Sequence, residues 1–305
     1  MTLSGMVPAG SPVEGANPEP APDFLPYGPL DPAGDRTLEL TLRGWVREQT
    51  GLEIGYAEQL YTFGDRDRVG RGRSAGPRVI SVAYLALMRE ARPSGSSRAR
   101  WRDCYAYFPW EDRRAGAHPV ISDVIAPALQ AWMRAVPKGP RQEERRQRAG
   151  IAFGLEGSGW DGDRVLERYE LLYEIGLVAE SGRVRPHEKH DIATESLGRA
   201  MGLDHRRILA TGLGRIRGKL RYRPVVFELL PDTFTLLRLQ LVVEALSGIR
   251  LHKQNFRRFV ESGGLVEGTR RFDQKTGGRP AELFRFRREV LKERRAPGMR
   301  LPGGR

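Results

Sequence analysis

Between Pro231 and Phe286 the chain carries two helical patterns three residues apart, followed directly by two alternating strands. The first pattern is PDTFTLLRLQLVVEALSG. Thr235 suits an N-cap, Leu236, Leu239, Val242, Val243 and Leu246 repeat at helical spacing, and Gly248 stops the run. The second, HKQNFRRFVESGG, starts near His252. Phe256, Phe259 and Val260 share one face by i, i+3, i+4 spacing, and Gly263-Gly264 ends it. LVEGTRRFD and AELFRFRRE then alternate as strands about the Gly-rich turn QKTGGRP. Helix, short turn, helix and hairpin is the order of a winged helix-turn-helix.

If the phenylalanines of the second helix face inward, Lys253, Gln254, Asn255, Arg257 and Arg258 fall largely on its other faces. These residue types suit a DNA groove: Arg matches guanine O6/N7, Gln or Asn matches adenine N6/N7, and Lys matches phosphate. In the hairpin, Arg270, Arg271, Lys275 and Arg279 cluster about the tip and can track a backbone. A solvated cationic helix is the bland alternative. A wing of the same sign beside it favours DNA. The charge distribution agrees. Residues 219–295 hold eighteen Lys/Arg against nine Asp/Glu, whereas residues 1–35 hold five acids and no Lys or Arg. A net charge of +13 concentrated in this way points to a polyanionic partner.

Residues 1–35 contain eight prolines and five glycines and are expected to be a disordered tail. Residues 36–218 are expected to form a first domain, 219–295 the winged helix, and 296–305 a flexible tail. DRTLELTLRGWVREQTG predicts a helix with Asp35 as N-cap, an inner face of Leu38, Leu42, Trp45 and Val46, and Gly51 as stop. GYAEQLYTF and RVISVAYLALMRE predict strands, the second of them buried, about the loop DRVGRGRSAGP. WRDCYAYFPWEDRR predicts a strand ending in a Pro-Trp turn, and VISDVIAPALQAWMRAV a helix kinked at Pro127. PKGPRQEERRQRAG is a charged linker or exposed helix. WDGDRVLERYELLYEIGLV is an amphipathic helix stopped at Gly176, and the helical region after it breaks near Gly202. RPVVFELL is a short strand or extended link.

No apolar run approaches the roughly 20 residues of a membrane span, and no secretion signal opens the chain. The single cysteine, Cys104, allows no internal disulfide and is expected to be buried. A cytoplasmic protein is expected. His187 and His190 lie three apart after Pro186 with no third ligand nearby, so a surface loop is expected rather than a metal site.

FELLPDTFTLLRLQLVVEALSGIRLHKQNFRRFVESGGLVEGT and GGRPAELFRF resemble the C-terminal winged helix of the Nudix-related transcriptional regulators of NAD metabolism. EQLYTFGDRDR and RVISVAYLAL are similar to the strand-loop-strand that follows the Nudix helix in that family. YFPWEDRR resembles an insert in a bacterial branch controlling de novo NAD synthesis. The resemblance implies an α+β chain: an N-terminal degenerate Nudix-like α/β/α domain followed by a winged helix-turn-helix. It further implies a homodimer acting on a double-stranded DNA operator, a repressor of NAD-synthesis genes that responds to an NAD-related or adenine nucleotide effector. No other cofactor is expected. Within YFPWEDRR, Trp110 could stack a base and Arg113 or Arg114 could pair with phosphate, which makes them candidate effector-binding residues. An aromatic packing turn is the alternative.

Nudix hydrolases hold divalent metal with carboxylates in the order Gly-x5-Glu-x7-Arg-Glu-apolar-x-Glu-Glu-x-Gly-apolar. With the final pair on Gly51-Leu52, the opening positions fall on Leu30 and Arg36, the Arg-Glu pair on Gly44 and Trp45, and the Glu-Glu pair on Glu48 and Gln49. One carboxylate survives, too few for an oxygen-ligated Mg²⁺. No catalytic or metal residues are expected. The rival reading is a Nudix-type nucleotide pyrophosphohydrolase with an accessory basic domain. An RNA-binding module is disfavoured by the lack of interleaved aromatics.

Overall fold

The computed structural model describes residues 4–7, 22–65, 78–89, 91, 93, 99–183, 194–274, 280–293, 298 and 299. Helices are α1 (Leu38–Thr50), α2 (Ala126–Arg134), α3 (Pro140–Phe153), α4 (Val165–Glu174), α5 (His205–Leu220), α6 (Leu236–Ser247), α7 (Lys253–Ser262) and α8 (Val290–Glu293). Strands are β1 (Ser4–Val7), β2 (Ala57–Phe63), β3 (Ser81–Ala86), β4 (Arg100–Asp103), β5 (Val266–Asp273) and β6 (Ala281–Phe286). Among the described residues they pair antiparallel as β1-β4, β2-β3 and β5-β6. The mixture is α+β.

Two apolar cores organise these elements. The first gathers Tyr107, Phe108 and Trp110 with Ile125 and Leu129 at the start of α2, Phe153 of α3, and Val165, Tyr169 and Leu172 of α4. The second gathers Leu239, Val242, Val243 and Leu246 of α6, Phe256 and Val260 of α7, Val266 of β5 and Val290 of α8. Helix α5 serves both. Ala210 and Leu213 belong to the first core, and Ile216 and Leu220, one and two turns on, belong to the second. Leu87, just past β3, also enters the second core. A boundary at 218/219 therefore cuts α5 rather than falling in a linker.

The reading of residues 1–35 as a disordered tail does not hold where the chain is described. β1 pairs with β4, Gly5 opposite Arg102 and Met6 opposite Trp101. Asp23 is buried. Its carboxylate accepts from the Tyr107 hydroxyl at 2.7 Å and from Arg100 at 3.1 Å, and lies 3.4 Å from Arg199. Burial alone would raise its pKa, but the Tyr107 and Arg100 hydrogen bonds and the Arg199 charge outweigh it and hold the carboxyl below its ordinary value. Leu25 N–H donates to His205 Nδ1 at 2.9 Å, and Phe24 and Tyr27 pack edge-on against the same imidazole. Polar anchoring of this kind leaves no trace in a count of prolines.

Several local expectations need correction. Thr37, not Asp35, caps α1; its side chain accepts from Leu40 N–H, while the Asp35 carboxylate accepts from Asp31 N–H. Leu38 on the predicted inner face is exposed. β3 is half-buried rather than buried, and Val79 and Ile80 before it are exposed. Pro127 sits inside a continuous helical run from 119 to 134, directly after a π-turn over Ile121–Ile125, so the irregularity expected at the proline falls in the turn before it. Val225–Leu229 forms a 3₁₀ turn rather than a strand. PKGPRQEERRQRAG supplies most of α3, a largely exposed helix whose last turn is buried. Cys104 is buried, and its thiol pKa is pushed up to about 12 by burial and by Asp103. Among the described residues no helix is long and apolar enough to cross a membrane. His187 and His190, the loop at 66–77, and 296, 297 and 300–305 of the expected tail lie outside the described residues, as do Lys275 and Arg279. Met299, however, is buried in the second core and its N–H donates to Leu220 O, so a flexible tail does not hold there.

Candidate nucleic-acid interface

Helix α6 is held at both ends by its own chain: Thr235 accepts from Arg238 N–H, and Gly248 adopts φ 72°. That left-handed turn suits glycine. The link to α7 is then clamped from α6. Gln240 Nε2 donates to Leu251 O, and Glu244 Oε1 accepts from Leu251 N–H, both at 2.9 Å. Gln240 and Glu244 also bond each other at 2.9 Å, so the clamp is closed on itself.

Helix α7 begins at Lys253 with His252 as N-cap. Phe256 and Val260 are 3% and 0% exposed. Burying each contributes roughly 1.5–3 kcal/mol, which fixes the rotation of the helix about its axis. That rotation leaves Lys253, Gln254, Asn255, Arg257 and Arg258 exposed. Arg258 donates to Asn255 Oδ1 at 3.2 Å, within the helix. Phe259 is partly buried against the same core. In the wing, Arg270 and Arg271 are exposed at a register irregularity between Gly268 and Phe272, and Arg270 takes φ 58°. A bulge of this kind twists the strand and re-aims its side chains. The wing is tied to α6 by Phe234 and Phe284, which exchange both backbone hydrogen bonds at 2.8 and 2.9 Å. One rigid unit therefore presents the exposed face of α7 and the described cations of the wing. A surface of cations and amides on a helix with a fixed face is chemically suited to phosphates and base edges.

The candidate effector residues of YFPWEDRR occupy a different setting. Trp110 is fully buried and packs edge-on to Phe108, so it offers no face to an incoming base. Among the described residues its Nε1 has no hydrogen-bond partner. Arg113 lies over Trp160 at 4.4 Å, and its backbone N–H donates to Gly248 O at 2.7 Å. Arg114 pairs with Asp112 at 2.7 Å and lies over Tyr105 at 5.2 Å. The stretch is a packed strap against the winged helix rather than an open ligand site, so the bland alternative describes it better.

Within the strap Glu111 is fully buried. Arg168 of α4 meets it through Nε and Nη2 at 2.6 and 2.9 Å, and Arg217 of α5 reaches Oε2 at 2.5 Å and the Glu111 carbonyl at 3.0 Å. Burial works to raise the Glu111 pKa. The charges of Arg168 and Arg217 overcome it and hold the carboxyl below the usual range. Arg168 also donates to Ala152 O and Asp161 O and stacks on Trp160 at 3.9 Å. The amphipathic pattern of α4 gives no hint of Arg168, because a lone arginine among apolar residues carries no periodicity. A cleft of about 510 Å³ runs between residues 29–36 and α1, lined by Asp31, Asp35, Arg36, Trp45 and Glu48 among others. Three carboxylates against one guanidinium make it a poor receptor for a bare diphosphate. Among the described residues no group of His, Cys, Asp or Glu side chains is arranged to hold a metal ion.

Residues 226–286 match the family model described as the NrtR DNA-binding winged helix domain. Over the whole chain, the crystal structure of Shewanella oneidensis NrtR with a 27mer DNA aligns with TM-score 0.52 and 20% identity, covering 95% of this chain and 90% of that one. The fold is that of NrtR. The DNA-free Shewanella NrtR structure gives TM-score 0.51 over 95% of this chain and 89% of that one, again at 20% identity. A curated relative, the ADPR responsive transcriptional repressor NtrR of Acinetobacter baylyi, is 34% identical over 130 residues, 42% of this chain and 50% of that protein. The chain thus spans half the length of the curated relative it matches. The whole-chain likeness in fold and the winged-helix match at 226–286 agree with the resemblance read from the sequence.

Proposed function

We propose that this protein is a DNA-binding transcriptional repressor, and that α7 reads the major groove of its operator. Gln254, Asn255 and Arg257 discriminate bases, while Lys253, Arg258, Arg270 and Arg271 hold phosphates; Lys275 and Arg279 extend the wing's grip. The observation that carries the reading is the fixed outward aim of the polar face of α7, on a segment that matches an NrtR DNA-binding domain. The regulator is a homodimer meeting a palindromic site half by half. It responds to an adenine nucleotide of the ADP-ribose type and controls NAD-synthesis genes. The name of the Acinetobacter relative supports the effector class. An effector can shift the DNA-binding equilibrium only by its differential affinity for the two states.

The Nudix-like part is a sensor and not a hydrolase. Support comes from α1, where the pattern that would supply metal carboxylates keeps Glu48 alone. The Gln49 side chain is instead engaged with the Tyr27 backbone, and Trp45 Nε1 donates to Pro29 O. These contacts turn the helix to structural use.

The test is selection from a random duplex library followed by fluorescence anisotropy on the enriched sequence, titrated against salt, with and without ADP-ribose. Sequence-selective binding with a steep inverse salt dependence is expected. Equal affinity for enriched and scrambled duplexes would remove the reading. Incubation with ADP-ribose and Mg²⁺ should release no AMP, and light scattering should give a dimer mass.

A further inference from the structure

We propose that Tyr105, Glu111 and Arg217 are positioning residues for the recognition helix, holding the turn between α6 and α7 on the first module so that the module sets the aim of α7. The inference rests on the DNA-reading role proposed for that helix.

The turn is gripped from two sides. From its own unit, Gln240 and Glu244 hold Leu251. From the first module, three further bonds arrive within a few residues of one another. Tyr105 hydroxyl donates to Ala245 O at 2.7 Å, Arg217 Nε to Leu246 O at 3.3 Å, and Arg113 N–H to Gly248 O at 2.7 Å. Two of these end on the last-turn carbonyls of α6, which lack an intrahelical partner. The third makes Arg113 and Ile249 a parallel bridge across the module boundary. Gly248 is then constrained twice. Its φ of 72° favours glycine, and a Cβ there would overlap the Glu111 carbonyl oxygen and crowd the Arg217 guanidinium. The turn and the strap are in direct backbone contact, with no side chain between them.

The strap is in turn fixed by the buried clasp of Glu111 between Arg168 and Arg217. A buried ion pair is a poor way to gain stability compared with apolar packing, but it is directional. Bidentate contacts at 2.6 and 2.9 Å to Arg168 and a second pair to Arg217 define where residue 111, and so residue 113, must sit. α7 starts only five residues after Gly248, with the clamp at Leu251 between them. A displacement of the strap is therefore delivered to α7 with little slack.

The experiment compares full-length wild type with Tyr105→Phe, Gly248→Ala and, as a control away from the turn, Arg148→Gln. For each, anisotropy gives the affinity for the enriched duplex and for a scrambled duplex, and circular dichroism checks the fold. Positioning predicts that Tyr105→Phe and Gly248→Ala lower the ratio of specific to scrambled affinity by about tenfold. Scrambled binding and its salt slope should be unchanged, because the cations of α7 and the wing remain. Arg148→Gln should match wild type. If wild type itself shows no preference, the functional reading fails. If wild type is selective and folded Tyr105→Phe keeps the full ratio, the positioning role is overturned. If Gly248→Ala does not fold, Tyr105→Phe decides.

Discussion

Arg257 is exposed one residue after Phe256, which is buried, and that contrast lets a single side chain be assigned a task. Arg257→Ala should cost roughly 1–3 kcal/mol against the enriched duplex and relax preference at one base pair, read by competition with single-site variants. Lys253→Ala should weaken all duplexes alike and reduce the salt slope by about one. Phe256→Ala removes the anchor of the face and should cost about 3–5 kcal/mol of folding stability in denaturant unfolding. Glu111 makes a pH prediction. Its carboxyl is held below its ordinary value in the folded state by Arg168 and Arg217. It therefore contributes stability above the unfolded carboxylate pKa of about 4.3, and loses it as pH falls through the folded value. Glu111→Gln should unfold more easily than wild type at neutral pH, and the gap should narrow in acid below that range. A gap independent of pH would argue against an ionised Glu111.

At the scale of elements, sequence pattern performed best where periodicity and caps coincide. α6 runs from Thr235 to Gly248 and α7 follows His252, as their caps and spacings require. The same logic failed at α1, where Asp35 and Thr37 are both good N-caps and the choice fell to which one the chain bends toward. Residues 225–229 read as extended because valines and Phe favour strands, yet among the described residues no strand pairs with them and a 3₁₀ turn forms. Thr235→Ala should cost about 1 kcal/mol, read as a lower Tm, by leaving Arg238 N–H uncapped.

At the scale of the molecule, α5 and the strap make two modules into one mechanical body. Ile216 and Leu87 lie in the second core, so a fragment beginning at residue 219 loses part of its own interior. Such a fragment should bind the enriched duplex more weakly than the full chain and show a broad thermal transition by circular dichroism. The five tryptophans all precede residue 161, so their fluorescence reports the first module only. Coincident unfolding curves by fluorescence and far-ultraviolet circular dichroism are expected from the shared helix. Separated curves would show that the modules unfold independently.

The sequence by itself determined the helix–turn–helix–hairpin order, the inward phenylalanines of α7 and the outward placement of its cations. Each depends on spacing along a short segment, and local geometry follows from local pattern. It could not assign Asp23, Glu111, Arg168 or Arg217, whose partners lie 57 to 106 residues away for the clasp and whose hydrogen-bond partners lie 77 to 84 residues away for Asp23. Only the tertiary structure decided that YFPWEDRR is a packed strap whose Arg113 meets Gly248, and that Ser4–Val7 and Asp23 are tied to β4 and Tyr107. A buried charge is made tolerable by long-range partners, and no periodicity announces them.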